Sequence, residues 1–521
     1  MMKKVTAAFL AAVMVMGLAA CGGGDGSAPA DGGNQDNAGE QGNDGAEGQE
    51  NAGEDREVWT CTIPWPSIDE SGDPAGLTDV EAAINEITVP EIGVQVEIAP
   101  IYCYNLNQQQ TLDVSSGGDL DLILCMLETN ASYIKNEAII PITDLYNEYG
   151  KNIQASLGEA VNAGAVKNEL YTVPVAATLG QSYGFIMRSD LMEKYEYSKE
   201  EQSMTLEELT ELFKKVKEGE GEAFYPVAGL TDVMMFLKYD DLGVSLRTGG
   251  ILLDGDTDTV VNVYGTDEFA KMASTIYEWA QAGYLNPDAS MEDSPATQVA
   301  AGNFGGQFSN TSPGQDVWVG NTAGSDMTTI HIKGMEHYSI TTMLSNISWG
   351  ISANCDKPEK AMELIDLMFG NNNFGTIMTA GLEGQTYEVV EKDANGNMII
   401  DFPEGLDMMS VPYYNLFGVW PNSKVQWAPN ELEYFEEMPK FNAAMEYSPA
   451  FGYTFDTTGF ESQLTALDAV WAQYQATILG GKQDPAGVLP EFLKALEDAG
   501  INDLIAANQE QYNAWKEAAG N

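Results

Sequence analysis

The sequence predicts an α/β protein with at least two domains and a separate N-terminal leader. Three observations predict this class. With 521 residues, the chain is long enough for two or three domains. Between residues 58 and 127, patterns typical of buried strands alternate with patterns typical of amphipathic helices, which favours a largely parallel sheet. The first 56 residues differ in composition from everything that follows.

The first 20 residues have the three parts of a secretory signal peptide. Lys3 and Lys4 form a positive start, and the apolar run that follows is too short to span a bilayer. Leu18-Ala19-Ala20-Cys21 resembles the lipobox of bacterial lipoproteins, in which the cysteine is lipidated after cleavage. We therefore expect residues 1–20 to be removed and Cys21 to carry a lipid. The alternative is an ordinary secretory signal with a chance cysteine.

Residues 21–56 predict a flexible acidic tether that carries the lipid at its start. From Gly22 to Asp55 the chain has no Lys, Arg, aromatic or β-branched residue. Such a segment cannot bury enough apolar surface to offset the entropy lost on ordering. A diacylglyceryl group on Cys21 would have two acyl chains, which is enough for stable attachment to a membrane. This layout therefore predicts a protein held at the outer face of the bacterial cytoplasmic membrane, on the cell surface.

The charge and the cysteine content exclude several classes of function. The chain has 24 Lys and Arg against 79 Asp and Glu, a formal net charge of −55, so a nucleic-acid partner is not expected. Two His and five Cys, without C-x-x-C or H-E-x-x-H spacing, predict neither a metal site nor a cofactor. The cysteines of the body fit buried thiols, or two disulfides in any of three pairings: Cys61, Cys103, Cys125 and Cys355.

The first domain opens with a strand, and a Pro-rich turn is expected at Pro64–Pro66. Further helix and strand patterns follow in alternation: a helix over 77–87, a strand over 94–98, a helix over 106–114 and a strand over 121–127. Ligands of such sheets bind beyond the carboxyl ends of the strands. The loops at Trp65–Ser67 and Glu128–Asn130 are therefore the expected site positions.

Later segments carry clear helix signals. Thr205-Leu206-Glu207-Glu208 is a capping box at the start of a helix, and Pro358 stands at the first turn of another. Other helices are predicted from their apolar stripes: 266–282, 461–479, 490–499 and 503–519. A strand is expected at 260–264.

Several segments resemble extracellular solute-binding proteins of ABC importers, in the order expected along one chain. The resembling segments run from 168 to 174, from 184 to 192, from 282 to 288 and from 350 to 361. Residues 381–387, residues 451–456 and the three final helices resemble a branch with a distinctive uncharacterised C-terminal region, found in gut Firmicutes. The resemblance covers residues 57–518.

The resemblance implies a maltose-binding-protein-like fold, with two α/β lobes, hinge crossovers and a helical C-terminal region. It implies a first lobe at 57–183, a second lobe at 184–348, and a return into the lobes at 349–521. It also implies a non-catalytic, monomeric protein that captures a small solute, expected to be a sugar or oligosaccharide, and delivers it to ABC permease subunits.

Seven residues are candidates for contact with the ligand. The resemblance places Glu128 and Gln181 near polar cleft positions, whereas its stacking Trp position falls on Cys125. Indole rings can stack on sugar faces, and amides can bind pairs of hydroxyls. The other candidates are Trp65, Tyr183, Trp318, Trp349 and Trp420. For each Trp the alternative is core or interlobe packing, and for Glu128 it is a solvated loop carboxylate.

Two other functions stay open. A surface glycoside hydrolase would use a pair of carboxylates, which an acidic chain offers readily. A peptide or amino-acid binder would need a cation such as Arg, and the chain has three: Arg56, Arg188 and Arg247.

Two short motifs resemble known functional sites but depart from their patterns. Gly180–Gly184 matches G-x-S-x-G, although a strand pattern follows where that motif needs a helix. Asp254–Asp258 resembles the start of a weak calcium loop, but Thr259 and Gly265 replace its Gly and Glu. A turn is the favoured interpretation of the second motif.

Overall fold

The computed structural model describes residues 57–68, 75–126, 130–231, 236–286, 294–408, 410–411, 417 and 419–519. Within these ranges the chain forms two α/β lobes, each around its own hydrophobic core. The predicted two-lobe α/β fold is confirmed. The predicted signal peptide and tether, with Cys21, lie outside the described residues.

The first lobe is built from residues on both sides of the second. Its N-terminal elements are β1 (Trp59–Ser67), α1 (Leu77–Ile92), β2 (Val94–Tyr102), α2 (Leu106–Ser116), β3 (Leu122–Met126), α3 (Asn130–Lys135), α4 (Thr143–Tyr149), α5 (Lys151–Leu157), β4 (Ala165–Val166), β5 (Glu169–Leu170) and β6 (Thr172–Pro174). The returning chain adds β15 (Ile347–Ile351), α12 (Pro358–Gly370) and α13 (Asn372–Ala380).

Its strands form a central sheet around the apolar core. β1 and β2 are parallel, and β15 runs antiparallel between β3 and β6. The backbone N–H of Asp121 donates to the carbonyl of Thr62 at 3.0 Å and connects β3 to β1. β3 is buried on both faces, as expected for a strand covered on both sides, whereas β2 at the edge exposes Gln95 and Glu97.

β1 continues through the predicted Pro-rich turn, so that prediction was wrong. The backbone N–H of Trp59 points to the carbonyl before β2, and that of Thr62 points the other way, to Asp121. Pro64 and Pro66 share the orientation of Thr62. Their missing N–H groups therefore remove no hydrogen bond to β2, and the strand continues.

The second lobe contains a five-stranded sheet in the order β8-β13-β7-β12-β9. Its elements are β7 (Tyr183–Arg188), α6 (Ser189–Lys194), β8 (Gln202–Met204), α7 (Leu206–Glu220), β9 (Tyr225–Val227), β10 (Tyr239–Asp240), β11 (Ile251–Leu252), α8 (Asp267–Gln281), α9 (Pro295–Ala300), β12 (Phe304–Asn310), α10 (Gln315–Ala323), β13 (Met327–Ile332) and β14 (Tyr338–Ser339). The short helix α11 (Thr341–Leu344) then leads back to the first lobe.

Local helix signals are confirmed, and one strand prediction is wrong. Thr205 and Glu208 form the reciprocal capping box of α7, and Thr266 caps α8. The strand expected at 260–264 does not form. Val261 makes only an isolated bridge to Gly250, and a 3₁₀ turn follows at Val263–Gly265.

The chain after α13 packs against both lobes. A small sheet covers α13 and consists of β16 (Glu388–Lys392), β17 (Met398–Asp401) and β18 (Val425–Trp427). The following elements are α14 (Tyr434–Ala443), β19 (Glu446–Tyr447), α15 (Glu461–Ile478), α16 (Pro485–Asp498) and α17 (Ile501–Ala519). The three final helices pack against the second-lobe core through Leu467, Phe492 and Leu504.

The four body cysteines are free thiols in this structure, so none of the three possible disulfide pairings is formed. Cys61 and Cys125 are fully buried in strands of the first lobe. Burial raises the pKa of the Cys61 thiol, and the neighbouring Asp121 carboxylate raises it further. These two residues therefore act as small apolar side chains.

Candidate ligand cleft

Several strands of the first lobe end at one edge, where polar side chains meet. β1 and β2 end side by side, with Ser67 paired to Tyr102. Next to the ends of β3 and β6, Ser348 donates from Oγ to Oδ1 of Asn130 at 3.3 Å. Asn130 Nδ2 in turn donates to Thr172 Oγ1 at 3.3 Å. A crevice beyond strand ends is the usual ligand position in open α/β sheets.

The lobes are joined by backbone segments that run side by side. Gln181 and Tyr338 exchange two backbone hydrogen bonds, of 2.8 and 3.0 Å. β14 also pairs in parallel with β19, which brings a third segment of the chain alongside. Three neighbouring connections of this kind let the lobes change their separation by small backbone rotations.

The helix α14 is hydrogen-bonded to the first of these connections, the segment between β6 and β7. Asn442 donates from Nδ2 to the carbonyl of Ala177 at 2.7 Å. Its Oδ1 accepts the backbone N–H of Leu179 at 2.9 Å. The C-terminal part of the chain therefore sets the conformation of the connection next to Gln181.

Three of the four predicted stacking tryptophans are core residues. Trp65 and Trp349 are fully buried, and Trp420 is 1% exposed. Phe417 packs against the first two, with ring centroids 4.7 and 5.4 Å away, and Phe369 packs against Trp420 at 4.9 Å. The prediction that these three tryptophans lie on the cleft surface is therefore wrong, because side chains from distant parts of the chain cover them.

Tyr183 and Gln181 lie next to each other in the chain but differ in environment. Tyr183 is 6% exposed in the second-lobe core, with its ring 6.1 Å from that of Tyr338. Its predicted position on the cleft surface is wrong, because β7 turns this side chain inward. Gln181 is half-buried and precedes β7 at the junction of the lobes.

Trp318 lies where the two lobes touch. It is carried by α10 of the second lobe and is half-buried. Its side chain packs against the apolar cluster of the small sheet, which includes Ile400, Val425 and Trp427. Glu128, the remaining candidate, lies outside the described residues. Of the seven candidates, Gln181 and Trp318 are thus the two described at the junction of the lobes with partly exposed side chains.

Ser348 and Phe417 were not predicted from the sequence. Ser348 reaches Asn130 because β15, from a distant part of the chain, lies beside β3. Phe417 carries no sequence signal, because its partners are far away in the chain. Asn130 itself lies in a segment that the sequence predicted as a site position, because this segment follows a buried strand.

Three carboxylates face one another between α14 and the second lobe. Partial burial raises the pKa of Glu437, and the charges of Glu201 and Asp316 raise it further. Burial also raises the pKa of Asp316. Glu201 pairs with His331, whose Nδ1 hydrogen-bonds Thr311 Oγ1 at 2.8 Å. This side of the junction is therefore acidic, which disfavours an anionic ligand there.

The two short motifs singled out in the sequence have structural roles. Ser182, in the G-x-S-x-G match, is fully buried, and its Oγ accepts the backbone N–H of His337 at 2.9 Å. The Asp256 carboxylate accepts from the backbone N–H of Asp258 and from Thr259 Oγ1, which closes a turn.

The described part of the chain offers neither a metal-binding cluster nor a helix that could span a membrane. No three His, Cys, Asp or Glu side chains there come together in a way that could hold a metal ion. In the same ranges, no helix combines the length and the apolar character needed to cross a membrane.

Two lobes joined by backbone connections that run side by side are the fold of a two-lobed binding protein. The bacterial extracellular solute-binding protein family matches residues 75–373, which is more than half of the chain. The chain belongs to this family. A second match, to a domain of unknown function (DUF3502), covers residues 449–517.

Relatives in Streptococcus pneumoniae resemble nearly the whole chain. A carbohydrate ABC transporter substrate-binding protein of serotype 4 is 24% identical over 466 residues, covering 85% of this chain and 89% of the relative. The crystal structure of the N-glycan transport solute-binding protein NgtS matches with a TM-score of 0.71 and 21% identity, over 88% of this chain and 99% of that one. NgtS in complex with Man5GlcNAc matches over the same shares, at 22% identity and a TM-score of 0.59.

Proposed function

We propose that this protein captures a sugar or oligosaccharide between its lobes and delivers it to the permease subunits of an ABC importer. The match of the two-lobed chain, over most of its length, to a carbohydrate ABC transporter substrate-binding protein carries the proposal. Binding, closure and release are the whole activity, and no bond of the ligand is broken. The protein acts as a monomer and needs no cofactor.

Gln181 and Trp318 are the proposed ligand contacts within the described residues. Gln181 stands beside the first connection, where its amide can bind neighbouring hydroxyls as both donor and acceptor. Trp318 offers an indole face where α10 of the second lobe meets the small sheet. Glu128 is proposed as a further polar contact, since it follows β3 at the sheet edge.

The distribution of cations favours a neutral ligand over an amino acid or peptide. Arg188 forms an ion pair with Asp190 at 2.7 Å, and Arg247 pairs with Asp468. Both described arginines are therefore committed to carboxylates of the protein. Recognition of a ligand carboxylate would need such a group to be available.

The N-terminal region is proposed to hold the protein at the cell surface. Cleavage before Cys21 and lipidation of its thiol would anchor the body through residues 21–56 to the outer face of the bacterial cytoplasmic membrane. Expression of the full chain in a Gram-positive host, followed by mass spectrometry of the N-terminal peptide, tests this. An unmodified Cys21 in protein released to the medium would contradict it.

A thermal-shift screen against a panel of neutral glycans tests the proposed ligand class. A glycan at 100 times its dissociation constant should add about 2.7 kcal/mol to stability. Man5GlcNAc and its reducing-end disaccharide, mannosyl-N-acetylglucosamine, belong in the panel alongside fructo- and gluco-oligosaccharides. Stabilisation by amino acids or peptides alone would overturn the proposal.

Calorimetric titration of variants then tests the site. Gln181→Ala should weaken binding by about 1–2 kcal/mol, because ligand hydroxyls lose a buried partner. Gln473→Ala, at an exposed position on α15, is the matched control and should leave affinity unchanged. Chromatography of the recovered glycan serves as a second check, since shortened products would identify a hydrolase instead.

A further inference from the structure

An exposed aromatic side chain stands at the rim of the first lobe. Tyr104 is 70% exposed, and the other large apolar side chains that are exposed in the described ranges are aliphatic: Val58, Leu112, Val390 and Leu406. A single exposed apolar residue needs no explanation by itself. The position and the surroundings of Tyr104 are what point to a binding role.

Tyr104 follows directly from the strand edge that faces the cleft. β2 ends at Tyr102, which is in register with Ser67 at the end of β1. Two residues later the chain places Tyr104 on a 3₁₀ turn, with its ring centroid 5.3 Å from that of Tyr102 and the planes at 54°. Two tyrosine rings thus meet at the carboxyl end of β2, on the sheet edge where β1 also ends, which is the usual ligand side of such sheets.

The chain segment that carries Tyr104 is uncharged in a strongly acidic protein. Residues 98–112 contain no charged side chain, although the chain carries a net charge of −55. Four exposed amides follow within five residues of Tyr104 in the chain: Asn105, Asn107, Gln108 and Gln109. Asn105 precedes α2 without capping it through its side chain, so its amide is not used by the helix. An aromatic face with amides is the combination that binds sugar hydroxyls and C–H patches.

This segment is held rigidly by the lobe beneath it. Gln110 is fully buried, donates from Nε2 to the carbonyl of Leu124 at 2.9 Å and accepts the backbone N–H of Leu124 at 2.9 Å. Its Nε2 also contacts Tyr133 Oη at 2.7 Å. The helix that carries the amides is thereby fixed to β3, and a ligand would bind without the cost of ordering it.

We propose that Tyr104, with the amides of Asn107 and Gln108, forms an outer subsite for a sugar unit of an extended oligosaccharide. The end of that oligosaccharide is held between the lobes, so the inference rests on the proposed function. The subsite makes the protein selective for chain length: longer glycans gain the contact with Tyr104, and short ones do not reach it.

Titrations with a long and a short glycan test the subsite. Man5GlcNAc and mannosyl-N-acetylglucosamine share their reducing end, and any other long and short pair that binds in the screen replaces them. Tyr104→Ala should weaken binding of the long glycan by about five- to twentyfold and change binding of the short one by less than about twofold. Tyr104→Phe should restore most of the loss, because it keeps the ring.

Leu112→Ala is the matched control, an exposed apolar residue on α2, the helix that carries the amides of Asn107 and Gln108. It should leave both affinities unchanged. Equal weakening of the long and short glycans by Tyr104→Ala would overturn the outer subsite while leaving the proposed function intact. Unchanged binding of both, with slower uptake in cells, would instead make Tyr104 a contact for the permease. Binding of no glycan by the wild type would overturn both proposals.

Discussion

The ring of Phe417 stands edge-on to the indole of Trp65, with centroids 4.7 Å apart and planes at 88°. This T-shaped arrangement directs the positive edge of one ring at the negative face of the other. Phe417 also contacts Trp349. A residue from the last part of the chain thus completes a core that β1 and β15 begin, and the loss of these rings should affect folding before binding.

Trp349→Ala is expected to lower the free energy of unfolding by about 3–5 kcal/mol, because it leaves a large cavity in the first-lobe core. Affinity of the folded fraction for a glycan should change by less than about twofold. Urea unfolding and calorimetric titration measure the two effects. Trp349→Phe should lower the free energy of unfolding far less, since it keeps an aromatic ring and the indole N–H has no acceptor among the described residues. Normal stability with lost affinity would return Trp349 to the cleft.

Trp318→Ala is expected to loosen the contact between the lobes. The indole links α10 of the second lobe to the apolar cluster of the small sheet. Small-angle scattering of the ligand-free variant should give a larger radius of gyration than that of the wild type. Trp515→Ala, which removes an indole packed within the C-terminal region, is the control and should not change it. An unchanged radius in Trp318→Ala would show that this contact does not limit opening.

Asp240 should make stability depend on pH. The carboxylate is fully buried, its Oδ1 accepts the Leu242 N–H at 2.7 Å, and burial raises its pKa to about 6. The unfolded value is about 3.9, so the folded protein holds the proton more tightly. The stabilising contribution is therefore fully present below about pH 4 and is lost as the pH rises through about 6.

Asp240→Asn should remove this dependence and raise the free energy of unfolding at pH 7 by on the order of 2–3 kcal/mol. Thermal melts from pH 4 to 8, compared with the wild type, measure the difference. Glu404→Gln, at an exposed position, should shift no part of the curve. If stability depends on pH in the same way in the wild type and in Asp240→Asn, folding does not raise the pKa of Asp240.

Asn442→Ala is expected to free the first connection between the lobes. The change removes partners from the carbonyl of Ala177 and the N–H of Leu179, at a cost of about 1–3 kcal/mol. Hydrogen exchange at Leu179 should become faster, while exchange in the two lobe cores should stay slow. Asn442→Asp keeps the acceptor for Leu179 and should protect that amide. Equally slow exchange in Asn442→Ala would show that other contacts hold the connection.

Local signals in the sequence predicted much of the fold correctly. The capping box at Thr205, the cap at Thr266 and the apolar stripes of α1 and α8 involve only residues one or two turns apart, so they can be interpreted without the tertiary structure. The uncharged segment that carries Tyr104 was also visible in the sequence, but nothing in this segment showed that it lies at a strand edge.

The sequence by itself determined the α/β class, the element order and the two-lobe resemblance, because periodicity and capping depend on near neighbours. Only the tertiary structure decided which aromatic residues are buried in the core. Trp65 lies within β1 and Trp349 within β15, and both pack against Phe417, which is distant in the chain. The apolar surface of an indole is equally suited to a core and to a sugar, so its position is settled by what the folded chain places against it.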